Sequence, residues 1–246
     1  MAESKKIITL ITGASSGIGL ELAVQLAADP NNHVLLCSRS LEKGELALQE
    51  VQSRKLPGTV ELLQLDVASQ ESIAAAAKTV EERHGRIDAL VNNAGTGSAA
   101  LPPEEAFPQT YLTNAVGPYF VTEAFLPLLK TSITTPRILN VSSGAGSMTR
   151  RLANTHAQGF WGLPYSASKA ALNLISVTQA VVYGDMGIKV FAFSPGFVES
   201  NLGPHNKVAN GAQTTEEGTR PMVGILKGER DEEHGGFLAK GGQYPW

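Results

Sequence analysis

The chain has 246 residues, with 20 lysines and arginines against 23 aspartates and glutamates, for a formal net charge of −3. That near-balance, without any block of like charge, argues against a nucleic-acid or anionic-membrane partner. No stretch reaches the roughly eighteen apolar residues of a membrane span, so a soluble protein is expected. The one cysteine, Cys37, excludes an internal disulfide and a cysteine metal cluster, which suits a reducing, cytoplasmic setting.

Short β-branched runs alternate with longer amphipathic ones along the chain. The apolar run in MAESKKIITLITG, which breaks at Thr9, Thr12 and Gly13 and lacks a cleavage-site pattern, reads as a first strand rather than a signal peptide. IGLELAVQLAAD follows it as a helix. HVLLCS precedes LEKGELALQEVQSR, VELLQLD precedes SIAAAAKTVEERHG, and IDALVNN precedes a helical stretch near Glu104 to Lys130. RILNVSS then precedes PYSASKAALNLISVTQAVVYGD, and IKVFAFSPG is a further strand. Near-continuous apolar strands predict a sheet buried on both faces, and the alternation predicts parallel βαβ units. One doubly wound α/β domain with a central parallel sheet, spanning residues 1–246, is the simplest packing of that order. After Pro195 the Gly-, Asn- and Pro-rich segment at residues 197–213 reads as a loop, either a substrate-side cap or a plain surface loop. GGFLAKGGQYPW reads as a last short strand with a tail, ordered or trailing.

The first strand runs into TGASSGIG and directly into a helix. Gly13, Gly17 and Gly19, with Ser15, Ser16 and Ile18 between them, would let the backbone turn tightly beside a pyrophosphate held at the helix N-terminus. The spacing differs from the commonest dinucleotide fingerprint, and a glycine-rich turn capping a helix is the bland alternative. At the end of the second strand an acidic residue would normally accept from the ribose 2′-hydroxyl of NAD. Here the sequence is CSRS, with Arg39 and no carboxylate before Glu42. A guanidinium pairs with a 2′-phosphate where a carboxylate repels it, so NADP is the expected cofactor. Lys43 would add a charge and Ser38 and Ser40 hydrogen bonds, although Lys43 is more simply a solvated lysine.

TGASSGIG, NNAG at Asn92 to Gly95, Ser142–Ser143, YSASK at Tyr165 to Lys169, and SPG at Ser194 to Gly196 occur in the order and approximate spacing of the short-chain dehydrogenase/reductases. The chain resembles that family over nearly its whole length, and within it the carbonyl- or keto-reductases. On a helix beginning at Pro164, Tyr165 and Lys169 share one face a turn apart. The resemblance implies that Tyr165 is the general acid, Lys169 the cation that lowers its pKa and binds the nicotinamide ribose, and Ser143 the group orienting the substrate oxygen. Ser142 would replace Ser143 were the match one residue off. Asn114, in TYLTNAVG, matches the family's helix asparagine, which supports a proton relay; a locally bonded, helix-kinking asparagine is the alternative. Asp66 and Val67 match the pair touching adenine, with a helix N-cap the alternative for Asp66. Asn93, Ala94 and Gly95 would lie along the cofactor. Pro195, Gly196, Val198 and Ser200 would meet the nicotinamide side.

The implied activity is reduction of an aldehyde or ketone by NADPH. The alternatives are oxidation of a secondary alcohol through the same site, or a non-catalytic nucleotide-binding sensor or scaffold. Ser143 and Tyr165 stand 22 positions apart, a longer interval than the shortest family members have. The intervening segment reads as a pocket wall carrying Phe160 and Trp161, or as packing, with Arg150 and Arg151 solvated. It would also cover the face that shorter relatives use for tetramer packing, so a monomer or homodimer is expected. His33, His84, His156, His205 and His234 have no metal-ligand spacing and no evident carboxylate partner, and no metal is expected. The substrate itself is not legible.

Overall fold

The computed structural model describes residues 5–97, 100–153, 162–203 and 206–246. Its strands are β1 (Ile7–Ile11), β2 (Asn32–Ser38), β3 (Thr59–Gln64), β4 (Ala89–Asn92), β5 (Arg137–Val141), β6 (Lys189–Phe193), β7 (Phe237–Ala239) and β8 (Gly242–Gln243). They form one sheet in the order β3-β2-β1-β4-β5-β6-β7-β8, parallel except for the antiparallel β7–β8 pair. The helices are α1 (Gly17–Ala27), α2 (Leu41–Ser53), α3 (Gln70–His84), α4 (Pro103–Tyr111), α5 (Gly117–Leu129), α6 (Met148–Leu152), α7 (Leu163–Gly184) and α8 (Thr215–Leu226).

Residues alternate across each strand, and the two faces feed two cores. Leu10, Leu35, Leu90 and Val190 pack with Ile73, Phe125 and Tyr183 from α3, α5 and α7. Ile11, Leu36, Val91 and Phe191 pack with Leu22, Val51 and Ile225 from α1, α2 and α8. This is the doubly wound α/β domain expected from the alternating pattern. At the base of the sheet, buried Asp88 pairs with Arg86 and accepts hydrogen bonds from Ile8 N (2.7 Å), Ser132 Oγ (2.7 Å) and Ile133 N (3.0 Å), which pins β4 beside β1.

Several local readings are corrected. The helical stretch at Glu104 to Lys130 is broken at Leu112–Val116 by a π-helical turn, in which Gly117 N bonds to Leu112 O. Pro118 has no N–H, so the Asn114 carbonyl loses its α-helical donor, and the wider turn accommodates this. The helix expected to begin at Pro164 starts one residue earlier, with Gly162 at φ +72° as its N-cap. Helix α8 lay in a stretch that received no assignment, although Thr214 and Glu217 form a complete capping box there. The final segment is a hairpin rather than one strand. Its tail is ordered: Trp246 stacks on Phe237 with ring centroids 5.2 Å apart, and Ser147 Oγ donates to Pro245 O at 2.6 Å. Arg150 is therefore not simply solvated, since its guanidinium lies 4.1 Å from the centre of the Tyr244 ring.

The histidine reading also changes. Strand register sets Leu35 beside Glu61, which puts His33 and Glu61 on neighbouring strands. The end of α3 returns His84 to the same place. His84 Nε2 lies 3.1 Å, and His33 Nε2 3.5 Å, from Glu61 Oε2. Cys37 is fully buried among apolar side chains, as expected, and burial pushes its thiol pKa up.

Candidate active site

A cleft of about 520 Å³ runs along the carboxyl edge of the sheet, where β1 and β4 lead to opposite halves of the strand order. Gly13, Ser15, Ser16, Gly17, Ile18, Arg39, Asp66, Val67, Asn93, Ala94, Gly95, Ser143, Tyr165, Lys169, Pro195, Gly196, Val198 and Ser200 all line it. Gly19 and Asn114 stand behind that lining.

The three glycines of the first turn divide by role. A Cβ on Gly13, which has φ +63°, would lie 2.8 Å from Ala94 Cα, and one on Gly19 would lie 2.4 Å from Asn93 Nδ2. These two glycines admit the NNAG segment rather than a ligand. Thr12 Oγ1 locks the same contact by accepting from Asn93 N (2.9 Å) and Ala94 N (3.0 Å), while Asn93 Nδ2 donates to Thr12 O and Gly13 O. Thr12 was not singled out from the sequence; its place directly before Gly13 was the available signal. A Cβ on Gly17, which has φ +57°, would meet only Ser200 Cβ, at 4.0 Å, so this glycine faces the open cleft. Ser16, the N-cap of α1, makes no side-chain cap bond, and the first turn carries no acidic residue. The N-terminus of α1 therefore presents free N–H groups to the cleft, an arrangement suited to a phosphate.

At the far end, Arg39 is exposed on the cleft rim. Ser38 and Ser40 do not stand free beside it: Ser38 Oγ donates to Ser40 O (2.8 Å), and Ser40 Oγ caps α2 by accepting from Lys43 N (3.3 Å). Asp66 is not a helix cap, because Ser69 caps α3. Asp66 Oδ1 instead accepts from Ala68 N at 3.0 Å in an Asx turn that shapes the cleft wall.

Ser143 directly follows the end of β5, and Tyr165 and Lys169 lie in the first turns of α7. The Ser143 side chain stands close enough to the Tyr165 phenol to favour its ionised form. Ser142 is committed inward, donating to Asn173 Oδ1 at 2.5 Å, which leaves Ser143 as the serine facing Tyr165. Lys169 Nζ donates to Val141 O at 2.8 Å and sits 5.8 Å from the Tyr165 ring centre. Burial pushes the Lys169 pKa down from 10.5 to about 8. The expected lowering of the tyrosine pKa by its neighbour is not what the chain alone does: burial raises it, and the nearby Ser143 side chain only opposes that rise. Desolvation dominates, and Lys169 Nζ is directed at the Val141 carbonyl.

Asn114 is fully buried in the π turn. Its Oδ1 accepts from Thr96 N (2.8 Å), and its Nδ2 donates to Thr96 O (2.9 Å) and Ser168 Oγ (2.9 Å). Its side chain holds the loop after Gly95. On the other rim, the loop at 197–213 is held by Gln213 N to Phe197 O (2.9 Å) and Ser200 N to Asn206 O (3.1 Å). Leu202 O would lie 2.5 Å from a Cβ on Gly97, so the two rims meet there. Phe160, Trp161, His156 and His205 lie outside the described residues.

Residues 7–208 match the family model for short chain dehydrogenases. The chain belongs to the short-chain dehydrogenase/reductase family. It is 38% identical over 230 residues to "Short-chain dehydrogenase anuI" of Penicillium roqueforti, a match covering 91% of this chain and 89% of that one. It is 35% identical to "Short-chain dehydrogenase/reductase eupG" of a Phoma species, covering 98% of each. Among solved structures, NADPH-bound carbonyl reductase from chicken fatty liver superposes with a TM-score of 0.83 at 30% identity, covering 99% of this chain and 100% of that one. Among the described residues, no helix of this family member is long and apolar enough to cross a membrane.

Proposed function

We propose that the protein reduces the carbonyl of a small aldehyde or ketone to an alcohol, using NADPH and acting as a monomer or homodimer. The observation that carries the proposal is the meeting of Tyr165 and Ser143 with buried Lys169 in the cleft that begins at the Gly17 turn. The free N–H groups of α1 and the open face of Gly17 would hold the cofactor's pyrophosphate, Arg39 its 2′-phosphate, and Asp66 and Val67 its adenine. Lys169, Pro195, Gly196, Val198 and Ser200 would hold its nicotinamide half. Such a cofactor supplies a hydride to the carbonyl carbon.

The substrate oxygen would accept from the Ser143 and Tyr165 hydroxyls, which hold it in place and stabilise the charge it gains. The Tyr165 phenol gives its proton to the nascent alkoxide and becomes a phenolate. Lys169 has a pKa near 8, so its ammonium can return that proton at neutral pH. The Asn114 carbonyl, without an α-helical donor, is positioned to accept from a water on the route to solvent. Arg39 favours NADPH, because no carboxylate stands where the 2′-phosphate would sit, and NADP pools, which are generally kept reduced, favour reduction over alcohol oxidation.

The proposal is tested with Tyr165→Phe assayed against a carbonyl panel by NADPH consumption. Turnover should fall by at least about 10²-fold, the usual scale for a lost acid catalyst, with NADPH affinity within about threefold of wild type. Unchanged turnover would remove Tyr165 from the mechanism.

A further inference from the structure

At the edge of the sheet opposite the cleft, two imidazoles and a carboxylate converge. His33 near the start of β2, Glu61 in β3 and His84 at the end of α3 each present one ligand atom, all within 4.8 Å of one another. His33 Nδ1 lies 2.8 Å from Thr59 Oγ1, which also receives Lys6 Nζ at 3.3 Å. An Nδ1–H donated to that hydroxyl leaves Nε2 as a bare lone pair. Nε2 is enclosed and has no hydrogen-bond partner, although Glu61 Oε2 stands 3.5 Å away. In that tautomer two lone pairs face each other across the gap, an arrangement that a cation between them would satisfy. Arg83 occupies Glu61 Oε1, which leaves Oε2 as the oxygen turned toward both imidazoles.

We propose that His33 Nε2, His84 Nε2 and Glu61 Oε2 bind one divalent transition-metal ion of the zinc class, with water as the fourth ligand. Two imidazoles and a carboxylate form a donor set that zinc accepts, with bonds of about 2.0–2.2 Å and roughly tetrahedral geometry. Thr59 would serve as the outer partner that fixes the His33 ring by accepting from Nδ1–H. Lys6 and Arg83 set two positive charges near the ion, so micromolar affinity is expected. The site joins β2, β3 and α3 at the base of the fold, at the other end of the strands from Tyr165. The bound ion would therefore stabilise that corner of the domain and leave turnover unaffected.

The test is isothermal titration of the tag-free full chain with Zn²⁺, with Co²⁺ absorption as a second probe. His84→Ala, His33→Ala and Glu61→Gln are the variants, each first checked by circular dichroism in EDTA. The expected result is one ion per chain, a zinc-dependent rise in Tm of several degrees, and at least about tenfold weaker binding in every folded variant. Glu61→Gln keeps the size of the side chain and safeguards the test if an alanine variant does not fold. Absence of saturable binding at about 100 μM Zn²⁺, or binding unchanged in the folded variants, would overturn the proposal; that concentration lies well above the expected micromolar constant.

Discussion

Replacing Lys169 with methionine should make the cofactor-free protein more stable at neutral pH. The lysine is only 4% exposed, and its pKa of about 8 lies below the 10.5 of an exposed chain. Keeping it charged at pH 7 therefore costs the folded state about 3 kcal/mol. Methionine removes that cost and retains most of the stem. It also strips Val141 O of its 2.8 Å donor, a loss of about 1–2 kcal/mol. The net expectation is a gain of about 1–2 kcal/mol at pH 7, or about 2–8 °C in Tm. The folded-state pKa is the lower one, so the unfolded chain binds more protons between pH 8 and 10.5, and wild-type stability rises across that window. The advantage of the methionine variant should thus shrink by about 2 kcal/mol from pH 7 to about pH 9.5. Urea denaturation of both proteins at the two pH values measures it. A variant less stable than wild type at pH 7, or a difference that does not move with pH, would refute the view that Lys169 is held at the expense of stability. Turnover should be lost in either case.

Arg39→Ala should weaken NADPH binding by about 10–100-fold and leave NADH within about threefold, as read by fluorescence titration. Equal losses for both would place Arg39 away from the 2′-phosphate. Asp88→Ala takes the carboxylate from Arg86 and leaves the Ile8 and Ile133 N–H groups unanswered, so denaturant unfolding should show a loss of about 3–5 kcal/mol with no change in cofactor preference. Gly17→Ala sets a side chain at φ +57° on the open face of the cleft, and calorimetry should report weaker NADPH binding with little change in fold. Trp246→Ala removes the stack on Phe237 and should lower stability by about 1–3 kcal/mol, measured by thermal melting.

The alternation of apolar strands with amphipathic helices determined the doubly wound fold, because a strand buried on both faces has to be apolar throughout and a parallel partner requires a crossover. Most residues of the cleft were legible for a related reason: they sit just past the carboxyl end of a strand or in the first turns of a helix, where local sequence and position in the sheet coincide. What depended on contacts between distant segments was not legible. Gly13, Gly17 and Gly19 look equivalent in one dimension, and only the packing of Ala94 and Asn93 against the first and last leaves Gly17 as the one facing open space. The direction of the Tyr165 pKa depends on burial and on where Nζ points, neither of which is set by a spacing of four residues. The meeting of His33, Glu61 and His84 needs two neighbouring strands and a returning helix. Sequence determines which residues can do chemistry; their pKa values and partners are tertiary properties, because both desolvation and Coulomb energy depend on distances between residues far apart in the chain.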